Sequence, residues 1–204
     1  VRSVGSRSSL VAMATCRPVA RIRASSGRRS ASGWASASGS GACQALAMAA
    51  RLRGIPCHVV MPTGSVGVKR DGVSVQGGVV HSCDPTMTAR VAGLAAIVAK
   101  TGAVPIHPFE DPRVIAGQGT AADELLTDYP DIEIIITPVG GGGLISGTAI
   151  AAHGINASIT IVGAEPDGAR DAHDSIATGR RVVDHTPDTI CDGLRGTVGQ
   201  INLD

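Results

Sequence analysis

Residues 132–147 read Ile-Glu-Ile-Ile-Ile-Thr-Pro-Val-Gly-Gly-Gly-Gly-Leu-Ile-Ser-Gly, an apolar β-branched run, four consecutive glycines and the opening of a helix. A strand that feeds a glycine loop and then a helix N-terminus gathers unblocked backbone N–H groups at the positive end of the helix dipole. An anion is the natural occupant, and phosphate the anion to expect. Glycine permits both positive φ and close approach of a ligand to the backbone, at a cost in conformational entropy that a plain turn would not require. The competing reading is a flexible surface turn that binds nothing.

The surrounding chain alternates between two periodicities. Helical patterns are expected over 43–53, closed by Gly54, over 86–100, closed by Gly102, and over 144–152, closed by Gly154. Thr120 and Asp123 have the spacing of a capping box and predict another helix opening near residue 120 and ending at Tyr129–Pro130. Apolar runs at 55–61, 78–81, 104–106, 132–137 and 159–164 read as strands, while 66–76 is ambiguous. Strands apolar on both faces and separated by helices make an α/β fold with parallel sheets flanked by helices the economical architecture. The expected organisation is a small α/β domain over 43–128 and part of a larger domain over 129–204.

Residues 1–42 differ in texture, being dominated by Ser, Arg, Gly and Ala with no sustained period. They read as a disordered segment or a basic interaction arm, with a linker or an out-of-frame segment as the blander readings and the last of these favoured. Within them, Leu10–Cys16 is an apolar patch interrupted by Arg17 and Pro18. No stretch of the chain approaches the roughly 18 apolar residues of a membrane span.

Composition excludes several roles. With 17% charged residues and a formal net charge of +1, the composition gives no argument for nucleic acid as a partner. Aromatics are 1% of the residues, so base-stacking platforms are missing too. The five cysteines are scattered without a C-x-x-C pair, which argues against both a disulfide framework and a zinc site and for a reducing, cytoplasmic setting. Two other glycine motifs compete with the four-glycine loop. A Walker A loop through Gly142, Gly147 and Thr148 lacks its lysine, and a dinucleotide fingerprint through Gly117, Gly119 and Ala122 follows a proline-containing loop instead of a strand.

Four segments together carry a resemblance. Pro138-Val-Gly-Gly-Gly-Gly-Leu-Ile-Ser-Gly147, His107-Pro-Phe-Glu-Asp-Pro-Arg-Val-Ile-Ala-Gly-Gln-Gly-Thr120, Ala164-Glu-Pro166 and Thr189-Ile-Cys-Asp-Gly-Leu194 closely resemble the serine/threonine dehydratase and serine racemase group of pyridoxal-phosphate (PLP) enzymes. The resemblance covers about residues 43–200 and implies the two-domain PLP fold of the tryptophan synthase β type. It implies that Gly140, Gly141, Gly142, Gly143 and Leu144 hold the cofactor phosphate, and that Pro108 and Phe109 border substrate and cofactor. It implies a divalent cation, Mg²⁺ or Ca²⁺, bound by Glu165, the carbonyl of Ala169 and Asp171; oxygen donors suit either ion. The implied activity is dehydration and deamination of threonine or serine, with amino-acid racemisation or a non-catalytic phosphate-binding remnant as the alternatives. A small amino acid is the implied partner, with neither nucleic acid nor membrane, and intact relatives are expected to be homo-oligomers.

The chain also departs from that pattern. The family's Schiff-base lysine precedes a Ser-Gly-Asn-His motif by some thirty residues, yet the two lysines here are Lys69 and Lys100. In place of that motif stands Ser40-Gly-Ala-Cys43, which keeps a serine, Ser40, where the family has an acid/base but lacks the Asn and His. The later segments of the family, including a second loop to the pyridine nitrogen, have no counterpart. The expectation is a fragment with an aberrant N-terminus that is inactive as written.

Overall fold

The computed structural model describes residues 10–12, 33–38 and 41–203. The chain divides into two compact units, one comprising residues 23–108 and the other 1–22 with 109–204.

The 23–108 unit is a parallel sheet of order β4-β3-β2-β5, built from β2 (Trp34–Ala37), β3 (Cys57–Pro62), β4 (Val79–Cys83) and β5 (Val104–Pro105). Helices α1 (Ala42–Leu52), α2 (Gly67–Val75) and α3 (Met87–Thr101) connect the strands. Cys57, Val59 and Met61 of β3 point to one face, where they bury against Cys43, Ala47 and Ala50 of α1 and Val73 of α2. The opposite face of β3 meets α3, close enough that a Cβ at Gly93 would touch Val60. Helix α3 is bounded by its side chains and backbone: Thr86 accepts the Ala89 N–H at 3.1 Å, and Gly102 ends the helix at φ 66°.

Three sequence expectations are corrected here. Residues 34–37, inside the stretch read as structureless, form the strand that pairs with both β3 and β5. Ala35 and Ser36 are buried there, and small residues in a four-residue strand leave no period to detect. The ambiguous stretch at 66–76 is helix α2. The helix expected to open at Thr120 opens eight residues earlier, as α4 (Pro112–Asp128): Asp111 caps it by accepting the Arg113 N–H at 2.9 Å, and Pro112 sits in its first turn. Thr120 is therefore within the helix, its hydroxyl donating to the Gly117 carbonyl.

The second unit carries a sheet of order β1-β7-β6, in which β6 (Ile134–Pro138) and β7 (Thr160–Ala164) are parallel and β1 (Leu10–Ala12) lies antiparallel on β7. Helix α5 (Gly143–Ile155) joins β6 to β7, and α6 (Asp171–Thr178) follows β7. Ile135, Val139, Ile145, Ala149, Ala152 and Ile161 form the centre of its core. Helix α4 packs along α5 and so belongs to this unit, although the sequence reading grouped residues 112–128 with the preceding domain. The close approach is made by glycine: a Cβ at Gly147 would lie 2.3 Å from the Ile115 carbonyl oxygen, and one at Gly119 would lie 2.7 Å from the Gly147 oxygen.

Candidate active site

The glycine loop leaves β6 at Pro138 and enters α5 at Gly143. Gly142 caps the helix at φ 88°, a conformation that costs an L side chain energy and costs glycine none. Among the described residues, the N–H groups of Gly140 through Leu144 donate to no backbone carbonyl or side chain. Five adjacent amide donors at the N-terminus of a thirteen-residue helix make a cradle that could hold an anion such as phosphate. The loop's other sides are closed. A Cβ at Gly141 would fall 2.3 Å from the Phe109 ring, and one at Gly140 would fall 3.1 Å from the Gly193 carbonyl oxygen. The four glycines therefore answer two demands, close packing by Phe109 and by the Asp192–Leu194 turn, and backbone donors left open to a ligand.

Phe109 reaches this position because α4 lies against α5. Pro108, expected to border substrate, is the last residue of the 23–108 unit and precedes Phe109 directly. Ser40, expected as an acid/base, lies outside the described residues.

Sequence reasoning missed the segment 198–202, which carries no recognisable motif. The Gly199 N–H donates to the Gly141 carbonyl at 3.0 Å, and Asn202 Nδ2 donates to the same oxygen at 2.7 Å and to the Phe109 carbonyl at 2.9 Å. The Gln200 N–H donates to Glu110 Oε1 at 2.6 Å. The one available signal was Gly199 itself, where a Cβ would lie 2.5 Å from the Glu110 side chain.

At the other end of β7, Glu165, Ala169 and Asp171 fall in one short stretch. Glu165 accepts the N–H groups of Ala172 at 3.2 Å and His173 at 2.8 Å, so its carboxylate caps the first turn of α6. Ala169 is buried in the turn before α6. Asp171, 2% exposed, accepts the Val198 N–H at 2.7 Å through Oδ2, while Oδ1 is buried without a hydrogen bond and stands 3.4 Å from His185 Nε2. Burial pushes both carboxyls above their usual range, and the Asp171 charge adds to the rise at Glu165. No group of three or more His, Cys, Asp or Glu side chains converges on a metal-sized point among the described residues. Here two carboxylates would have to be completed by a backbone carbonyl.

Lys69 lies on α2 and Lys100 near the end of α3, both in the 23–108 unit.

Comparison with known proteins bears on the family and the fold. The family described as pyridoxal-phosphate dependent enzyme matches residues 3–204. A beta-hydroxyaspartate dehydratase of Paracoccus denitrificans is 41% identical over 166 residues, covering 81% of this chain and 53% of the relative. Maize serine racemase superposes with a TM-score of 0.82 at 41% identity, covering 85% of this chain and 53% of that structure. The processed form of threonine deaminase isoform 2 from Solanum lycopersicum superposes with a TM-score of 0.76 at 34% identity, covering 85% of this chain and 51% of that structure. The chain spans about half the length of the curated relatives it matches. With this fold, that of the tryptophan synthase β type, and a match over nearly its whole length, the chain belongs to the family of pyridoxal-phosphate dependent enzymes.

Proposed function

We propose that this protein serves the dehydration and deamination of threonine or serine to a 2-oxo acid and ammonia, and that these residues supply the phosphate-holding half of the cofactor site. The observation that carries the reading is the row of open N–H groups from Gly140 to Leu144, bounded by Phe109. PLP, when bound, supplies an electron sink for the carbanion at the substrate Cα, which lets a β-hydroxyl leave. The chain's own contribution is to hold and orient. The loop amides and the α5 dipole neutralise the phosphate, Phe109 bounds the loop, and Pro108 is the residue that the family resemblance offers beside the substrate. Ser40 is the proton donor or acceptor that the family resemblance offers.

The relatives include racemases as well as dehydratases, and a racemase is the second reading. The chain as written, with lysines only at 69 and 100, is proposed to bind the phosphate group without a covalent link and to turn over no amino acid. The described cysteines, Cys43, Cys57, Cys83 and Cys191, are free thiols, which supports a reducing cytoplasmic setting. Among the described residues no helix is long and apolar enough to cross a membrane.

We further propose that Glu165, the Ala169 carbonyl and Asp171 hold Mg²⁺ or Ca²⁺. The support is the buried Asp171 Oδ1, which has no hydrogen bond. Either ion at millimolar concentration is then expected to raise the melting temperature, and Asp171→Asn to abolish that rise.

The main test is titration with PLP, followed by fluorescence, on the wild type and on Gly141→Val, whose side chain would strike the Phe109 ring. Saturable binding by the wild type and its loss in the variant are expected. Equal binding by both would overturn the assignment of the loop. Borohydride reduction followed by peptide mapping is expected to leave Lys69 and Lys100 unmodified, and ammonia release from threonine or serine is expected to be absent. Turnover by this chain would overturn the non-covalent reading, and formation of D-serine without a 2-oxo acid would favour the racemase.

A further inference from the structure

Asn202 lies in the 3-10 turn Gln200–Asn202 and is 7% exposed. Its amide orientation is fixed by its neighbours. Nδ2 faces the carbonyl oxygens of Gly141 and Phe109, and a flipped amide would set oxygen against both. Its Cβ fills the space beside Gly142, where a Cβ on that glycine would lie only 2.7 Å away.

The Gly141 carbonyl accepts two donors, the Gly199 N–H and Asn202 Nδ2, so both of its lone pairs are engaged. None of the described peptide bonds is cis. In a trans peptide the C=O of one residue and the N–H of the next point in opposite directions. Holding the Gly141 carbonyl toward Asn202 therefore turns the Gly142 N–H to the other side of the loop, into the row of open donors. It also steadies Gly142 in its left-handed conformation.

The second hydrogen of the Asn202 amide ties down the Phe109 carbonyl, and with it the residue whose ring lies against Gly141. Behind Asn202, the segment is anchored by the bond from the Val198 N–H to Asp171.

We propose that Asn202 is the positioning residue of the phosphate cradle: it aims the Gly142 N–H at the ligand and locks Phe109 against the loop, without itself touching phosphate. This rests on the reading of the loop given under Proposed function. A primary amide suits the task because it offers two donors in one plane. Asp offers none, and Leu of similar size offers neither donor nor acceptor.

The test measures binding of PLP and of inorganic phosphate by Asn202→Leu and Asn202→Asp, by calorimetry well below each variant's melting temperature. Asn202→Leu is expected to raise the dissociation constant for both probes about tenfold, the worth of one well-placed hydrogen bond. Asn202→Asp is expected to raise it further, because a carboxylate would face two carbonyl oxygens. The ³¹P resonance of bound PLP is expected to move in each variant, which a role confined to stability would not produce. If Asn202→Leu does not fold, Asn202→Ser, which keeps one donor, takes its place with an intermediate loss. Wild-type affinity together with an unmoved ³¹P line in any folded variant would overturn the inference while leaving the loop assignment standing. Wild-type protein that binds neither probe would overturn both.

Discussion

Asp171 accepts the backbone N–H of Val198 at 2.7 Å, and both residues are buried. This bond ties the first turn of α6 to the segment that contacts the glycine loop. The carboxylate is the nearest polar partner of a backbone amide that water does not reach.

Removing that partner leaves a buried donor unsatisfied. Asp171→Ala is expected to destabilise the protein by about 2–3 kcal/mol, the usual range for a lost charge-assisted bond. Asp171→Asn, which keeps an acceptor oxygen, is expected to lose less. Urea denaturation of the three proteins checks the order, and equal stability of Asp171→Ala and wild type would show that the anchor contributes nothing.

The helix crossing gives a prediction of opposite signs. Gly147→Ala would place a methyl 2.3 Å from the Ile115 oxygen and force α4 off α5. A loss of about 2 kcal/mol or more is expected, as for other overpacked contacts. Gly154→Ala, in the same helix but with open space around it, is expected to stabilise by about 0.5–1 kcal/mol through lost freedom of the unfolded chain. Melting curves of the two variants decide it.

The cysteines are expected to react in order of exposure. Burial pushes the Cys43 thiol up to about 12 and that of Cys57 up to about 11, so neither supplies thiolate near neutral pH. Cys191 is exposed. Alkylation at pH 7.5 followed by peptide mapping is expected to label Cys191 first and to reach Cys43 and Cys57 only after unfolding.

His58 Nδ1 and His81 Nε2 lie 3.2 Å apart across β3 and β4, a spacing that requires one imidazole to be neutral. Burial, the neighbouring His58 and the Lys100 ammonium lower the pKa of His81 below 6.5. A lowered folded value means that the stabilising contribution is complete above about pH 6.5, the ordinary histidine value, and is lost as pH falls through the folded value. Stability of the wild type is expected to decline on acidification through this window, and His58→Gln is expected to flatten the decline. Denaturation midpoints between pH 7.5 and 5 measure both.

The glycine loop between β6 and α5 was legible because strand, glycines and helix occur consecutively, and the α/β class because the two periodicities alternate over long stretches. What escaped was set by contacts distant in sequence. Trp34–Ala37 is a strand because β3 and β5 flank it, and its two middle residues, Ala35 and Ser36, are both buried, so no alternation shows. Helix α4 starts at Asp111 because that side chain caps it, a stronger signal than the Thr120 spacing. Asn202 has no motif; its role comes from two carbonyls, at Phe109 and Gly141, brought together only by folding.

The strand order β4-β3-β2-β5 sets a sequence of events for the chain as it folds. Strands β2, β3 and β4 can assemble from successive segments, each joined by one helix. Strand β5 must return across all of them to Trp34, which pairs with Val104. This long loop closes late, since distant pairings meet the full entropy of closure before their contacts form. The chain's single tryptophan stands on the strand that receives β5, with Arg53 over its ring, so its fluorescence is a built-in clock for the last step of sheet assembly.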